Sequence, residues 1–169
     1  MKKIVSIVCS MLIMSVILTA CKKTPIDNPQ PVQQELITTI RLNVTNSSGF
    51  NKSFNYKVLN GFNSSEPGIK LVEDVELLPA TEYNVEVTVL NEADTPAQNI
   101  TDEIISENTE HLFLHQSLPE TGAGSIAFSD GNKDDNGAPF NRTVKFTTGA
   151  AGDGTLIVTL KHQPTNKNA

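Results

Sequence analysis

Apolar and polar residues alternate with a period of two along most of this chain, and turn-forming residues separate the alternating runs. Leu36, Ile40, Leu42 and Val44 share one parity in the first run; Phe54, Tyr56 and Val58 share one in the second. A less regular run extends from Ile69 to Leu77. Tyr83, Val85, Val87 and Val89 then alternate with Asn84, Glu86 and Thr88, the clearest pattern of a half-buried strand in the chain. Further runs cover His111–Gln116, Ser125–Ser129, Thr143–Thr148 and Thr155–Lys161, which together predict about eight strands. The segment Gly149–Gly154 is expected to join the last two as a hairpin, its Asp153-Gly154 pair supplying positive-φ positions. Only Thr101–Asn108 predicts a helix, with Thr101 as its cap and Asp102 and Glu103 suited to its first turn.

Many short strands without a long amphipathic helix predict an all-β fold. The expected architecture is a single antiparallel β-sandwich over residues 36–164, immunoglobulin-like or fibronectin type III-like, with a C-terminal tail at 165–169. One local pattern bears on the type of sandwich. Leu77-Leu-Pro79-Ala-Thr81-Glu-Tyr83 resembles the Leu-x-Pro-x-Thr-x-Tyr corner of fibronectin type III domains. The resemblance implies that Tyr83 lies in the core with its hydroxyl bonded to backbone a few residues upstream, and that Leu77, Pro79 and Thr81 shape the corner. The plainer alternative is a turn followed by a strand that begins with tyrosine.

The N-terminus has a different character. Lys2 and Lys3 precede an apolar run from Ile4 to Leu18, which ends in Leu18-Thr19-Ala20-Cys21. A charged start, an apolar stretch of secretory length and a small-residue cleavage site define a signal peptide over residues 1–20. The last four residues resemble the bacterial lipobox, which implies that Cys21 is diacylated and becomes the first residue of the mature protein. An uncleaved anchor helix is the alternative, since Ile4–Ala20 could just span a bilayer, but it gives no reason for a cysteine directly after Thr-Ala. Residues 21–35 then comprise the lipidated cysteine and a polar tether carrying Pro25, Pro29 and Pro31. Extended at roughly 3 Å per residue, the tether could hold the domain up to about 40 Å from the membrane. Lys22 stands where an aspartate would favour inner-membrane retention, so the outer membrane is the expected location, facing either the periplasm or the outside.

Removing residues 1–20 of 169 leaves 149, enough for one domain with an ordinary core. The mature chain has 11 basic and 19 acidic residues, a formal charge of −8 that argues against nucleic acid and anionic lipid surfaces as partners. Cys9 leaves with the signal peptide and Cys21 is acylated, so no thiol is left for a disulfide, a metal or catalysis.

A broader resemblance covers most of the mature chain. Glu35-Leu-Ile-Thr-Thr, Leu90-Asn-Glu92, Ile100-Thr-Asp-Glu-Ile104, Glu110-His111, Thr147-Thr-Gly149, Gly154-Thr-Leu156 and Leu160-Lys-His-Gln-Pro164 resemble a group of small flavobacterial lipoproteins. It implies location and fold rather than an activity.

Candidate chemistry is sparse. His111 and His115 are four apart, but a strand sets such residues roughly 13 Å from each other, too far to share a zinc ion. His162 could join them only through the tertiary fold. Gly149–Thr155 lacks the lysine of a phosphate loop, and Gly122-Ala-Gly124-Ser125 lacks the frame of a nucleophile elbow. Glu103, Glu107 and Glu110 are spaced for one solvated helix face. There is no Trp, which disfavours sugar stacking, and the loop residues Phe50, Phe62 and Phe140 are expected to pin their loops to the sandwich rather than to form a binding patch. The six Asn-x-Ser/Thr triplets read as Asn-rich loops and strand edges.

The densest set of oxygen ligands is Asp130-Gly-Asn132-Lys-Asp134-Asp-Asn136-Gly137. Asp130, Asn132, Asp134 and Asn136 have the spacing of a calcium loop. However, Asp135 stands where such a loop needs glycine, and Asn141 where it needs a bidentate glutamate, so a metal-free turn is expected. The expected function is therefore non-enzymatic and without a cofactor: an envelope lipoprotein held to the membrane by Cys21, presenting its sandwich for protein contact or envelope structure. The alternative is a binding module for a small molecule, a glycan or calcium.

Overall fold

In the computed structural model, residues 35–66 and 68–163 are described; the expected signal peptide, Cys21, the expected tether up to residue 34, and residues 164–169 with the expected tail lie outside them. The described chain forms nine strands and one helix: β1 (Thr39–Thr45), β2 (Asn51–Val58), β3 (Lys70–Val72), β4 (Glu82–Asn91), β5 (Gln98–Asn99), α1 (Ile100–Ser106), β6 (His111–Leu118), β7 (Ile126–Ser129), β8 (Thr143–Thr148) and β9 (Thr155–His162). The larger sheet runs β3-β2-β1-β4-β8-β7, with the short β5 added to the end of β4, and the smaller sheet is the antiparallel pair β6-β9. The two sheets pack together as an all-β sandwich.

The alternation of β4 sets the core. Tyr83, Val85, Val87 and Val89 are all buried, while Asn84 and Glu86 between them face solvent. On the flanking strands Leu42 and Val44 of β1, Phe54 and Val58 of β2, and Val144 and Phe146 of β8 continue this apolar face. Phe113 of β6 closes over it from the smaller sheet, with Leu156, Val158 and Leu160 of β9 packed alongside. Ile100 and Ile104 of α1 bury their side chains in the same cluster, so the helix seals one part of the core.

Three local expectations are corrected, and one strand is added. The run Ile69–Leu77 is strand only at Lys70–Val72; beyond it, the Glu73 carboxylate accepts from the backbone N–H and side-chain amide of Asn55, while Val75 and Leu77 pack on the core from an irregular segment. Thr101 does not cap α1. Its N-cap is Asn99, and the buried Thr101 hydroxyl instead accepts from the N–H of Val89 at 2.8 Å and donates to the carbonyl of Val89 at 3.1 Å, fastening helix to sheet. The strand β5 was not expected from the sequence.

The Gly149–Gly154 segment is not a hairpin, because β8 pairs with β4 and β7 whereas β9 pairs with β6 in the other sheet. It crosses between the sheets and packs against Gly122–Ser125. The N–H of Gly124 donates to the carbonyl of Ala150 at 2.9 Å, and that of Gly149 to the carbonyl of Ser125 at 2.8 Å. A Cβ at Gly149 would sit 2.2 Å from the Gly122 carbonyl oxygen, and one at Gly154 2.3 Å from that of Gly124. Close approach of two backbones, rather than a tight turn, is what requires glycine here.

Candidate functional site

Tyr83 enters β4 directly after the Leu77–Glu82 segment and is 1% exposed. Its hydroxyl accepts from the backbone N–H of Leu78 at 2.8 Å, and its ring meets Phe50 edge-on at 5.1 Å. Ala80 adopts φ 49, and its N–H donates to the carbonyl of Gly149 at 2.9 Å. The Thr81 hydroxyl donates to the carbonyl of Pro79 at 2.8 Å, and Thr148 of β8 bonds the backbone of both Leu78 and Thr81. This set of bonds makes the segment structural. Tyr83→Phe should destabilise the fold by about 1–3 kcal/mol, because it leaves the Leu78 N–H without its acceptor. Urea unfolding would measure this; an unchanged midpoint would mean that water replaces the hydroxyl at no cost.

The loop Asp130–Gly137 turns its oxygens onto its own backbone and its neighbours. Asp134 is buried, and its Oδ1 accepts from the N–H groups of Asn136 and Ala138 at 3.0 and 2.8 Å. The Asn132 side chain accepts from the N–H of Thr143 at 2.9 Å, and Asp130 reaches out to Lys145 at 3.2 Å. Asp130, Asn132 and Asp134 are thus committed to three separate places, an arrangement that shapes a turn. Of the loop phenylalanines, Phe140 is buried edge-on against Phe113, Phe50 packs on the core, and Phe62 is half-buried beside Tyr56 at 5.3 Å.

The three histidines fall into two environments. His115, on β6, packs against Phe128 and Phe146 and lines a cleft of about 350 Å³ with Ser117, Ile126 and Ile157. Its Nε2 lies 2.9 Å from the carbonyl of Asn141, while its buried Nδ1 has no hydrogen-bond partner among the described residues. Burial lowers its pKa below the ordinary histidine value. The unfolded chain therefore binds more protons. The stability contributed by neutral His115 is fully present above about pH 6.5 and is lost as the pH falls from there through the lowered folded-state value. In denaturation series taken from neutral to mildly acidic pH, wild type should lose stability faster than His115→Gln. Parallel losses would show that the ring does not titrate as a buried group.

His111 and His162 are direct cross-strand partners at the other end of β6 and β9, with rings stacked at 4.6 Å and 9° apart. The turn after α1 brings Glu107 to them, and one carboxylate oxygen of Glu107 and one ring nitrogen of each histidine lie within 4.8 Å of one another. The His162 Nε2 is 3.3 Å from the Glu110 carboxylate. Glu35 is also drawn in: burial, a hydrogen bond with Glu103 and the charges of Glu103 and Glu107 push its pKa up to about 7, against the opposing effect of His162. Glu103, Glu107 and Glu110 are thus not simply a solvated face, because Glu107 and Glu110 lie against the histidine pair and Glu103 bonds Glu35. Sequence reasoning missed this cluster, whose two histidines meet only through the pairing of the last strand with β6.

A further feature lies at the sheet edge. Val72 of β3 pairs with Tyr56 on the face that carries Phe54 and Val58, yet it is 62% exposed; Ile69, Leu71 and Leu59 nearby are 64%, 52% and 50% exposed.

No family model, curated protein or solved structure matches this chain.

Proposed function

We propose that this chain is a lipid-anchored envelope protein whose β-sandwich, of the immunoglobulin or fibronectin type III kind, presents the β3 edge of its larger sheet to a protein partner. The observation that carries the reading is the exposed edge strand β3, with Leu59, Ile69 and Leu71 together on the sheet face opposite Val72. Exposed apolar clusters of this kind mark contact surfaces, and an edge strand offers backbone groups to which a partner strand can add. The strand is only three residues long and has Lys70 in it, features that restrain indiscriminate pairing of edges. Anchoring rests on the Leu18-Thr-Ala-Cys21 site and the Pro-containing segment after it, and the charge of the mature chain argues against a nucleic-acid partner.

A small-ligand module is the second reading, favoured by the unpartnered Nδ1 of His115 at the cleft between β6 and β7. Photo-crosslinking in intact cells separates the two. A photoreactive residue at Leu71 should yield a discrete crosslinked protein, and one at the exposed Thr159 of β9 should not. No adduct at Leu71, or the same adducts at both positions, would count against the edge as the contact surface.

A further inference from the structure

We propose that Glu107, His111 and His162 form a binding site for a divalent zinc-class ion, joining the end of α1 to the first residue of β6 and the last residue of β9. The donor set comes first. Two imidazole nitrogens and a carboxylate oxygen, already within 4.8 Å of one another, suit zinc, whereas calcium and magnesium take oxygen ligands alone.

The orientation of His111 is the second observation. The residue is 5% exposed, and its Nδ1 lies 3.1 Å from the backbone carbonyl of Glu107. A carbonyl oxygen can only accept, so Nδ1 carries the proton and the lone pair is left on Nε2. Metal-ligating histidines are typically held in this way, by a second nitrogen that donates to a carbonyl or carboxylate.

The surrounding charge is the third. Glu107 and Glu110 both lie against the histidine pair, so a divalent cation would offset the negative charge gathered there. Glu110 lies next to His162 and is placed to steady its ring or to supply a fourth ligand, and water can fill any position left open.

Ligand atoms around zinc are about 3.3 Å apart, given metal–ligand distances near 2 Å in a tetrahedron. Loading therefore draws the three groups closer. His111 is fixed, and the side chain of His162, 44% exposed on the last strand, is the one free to turn out of the stack. An ion here would clip Glu107 and His111, four residues apart in the chain, to His162, which only the tertiary fold brings to them.

The test is a zinc titration of the full-length, untagged protein in detergent micelles, against a chromophoric competitor at neutral pH, with thermal melts alongside. Wild type should bind one zinc ion and melt several degrees higher with it. His162→Ala and Glu107→Gln, chosen because buried His111 could fail to fold when replaced, should each weaken binding more than about tenfold and lose the thermal shift. Asp130→Asn, which removes an exposed carboxylate elsewhere, should bind as wild type does. Absence of one-to-one binding by wild type would overturn the proposal. So would unchanged binding by His162→Ala and Glu107→Gln, or equal weakening by Asp130→Asn, which would mean diffuse attraction to an acidic surface.

Discussion

Phe146→Ala is expected to cost about 3–5 kcal/mol, a large part of the roughly 5–15 kcal/mol that holds a domain together. Phe146 is 0% exposed and sits between Tyr83 of β4 and Phe128 of β7 in the pairing register. Its ring meets Phe128 edge-on at 5.1 Å and His115 at 5.8 Å. Because β8 is hydrogen-bonded on both sides, its backbone cannot fall into the space that a removed ring would leave. The cost thus includes a persistent cavity as well as lost apolar burial. Urea unfolding should show a lower midpoint with an unchanged slope. Leu78→Ala, at a side chain 59% exposed, should stay within about 0.5 kcal/mol of wild type. Equal losses for the two would place the core somewhere other than around β8.

Gly124→Ala should cost about 3 kcal/mol or more, for two separable reasons. Gly124 has φ +76, a left-handed conformation that costs an alanine about 1–2 kcal/mol. A Cβ there would also lie 2.1 Å from the backbone oxygen of Asp153, and backbone cannot swing aside as a flexible side chain can. Gly137→Ala isolates the first effect, since Gly137 has φ +80 and nothing within 4 Å of its Cβ direction. The difference between the two variants measures how tightly the Gly122–Ser125 and Gly149–Gly154 segments interlock. Equal costs would mean that the segments part readily, leaving only the backbone conformation to account for the loss.

These segments also show what the sequence could and could not convey. The period-two runs marked where strands form, and the β4 alternation named its buried face, because each residue of a strand covered on one side records its own environment. The burial of Tyr83 followed from the same parity. Glycines in Gly149–Gly154 carried an ambiguous signal: freedom to turn and room for another backbone call for the same residue, and only the second applies here. Thr101 was ambiguous in a similar way, since the hydroxyl that suits a helix cap equally suits a bond to a neighbouring strand, and burial against β4 decided between them. The histidine pair left no local trace. His111 and His162 belong to strands far apart in the chain, and strand pairing alone makes them neighbours. The exposed β3 edge was equally hard to read, because Ile69, Leu71 and Val72 look like core residues until their strand proves to be the last in its sheet.

The lipid anchor is where the proposed function can be tested most directly. Metabolic labelling of cells with a palmitate analogue, followed by detergent partitioning and a mass measurement of the product, reports acylation and cleavage together. The wild-type chain should incorporate the label, enter the detergent phase and begin at Cys21, while Cys21→Ser should remain unlabelled as the uncleaved precursor. A Cys21→Ser protein that is still cut to the wild-type size and still partitions into detergent would contradict anchoring through Cys21.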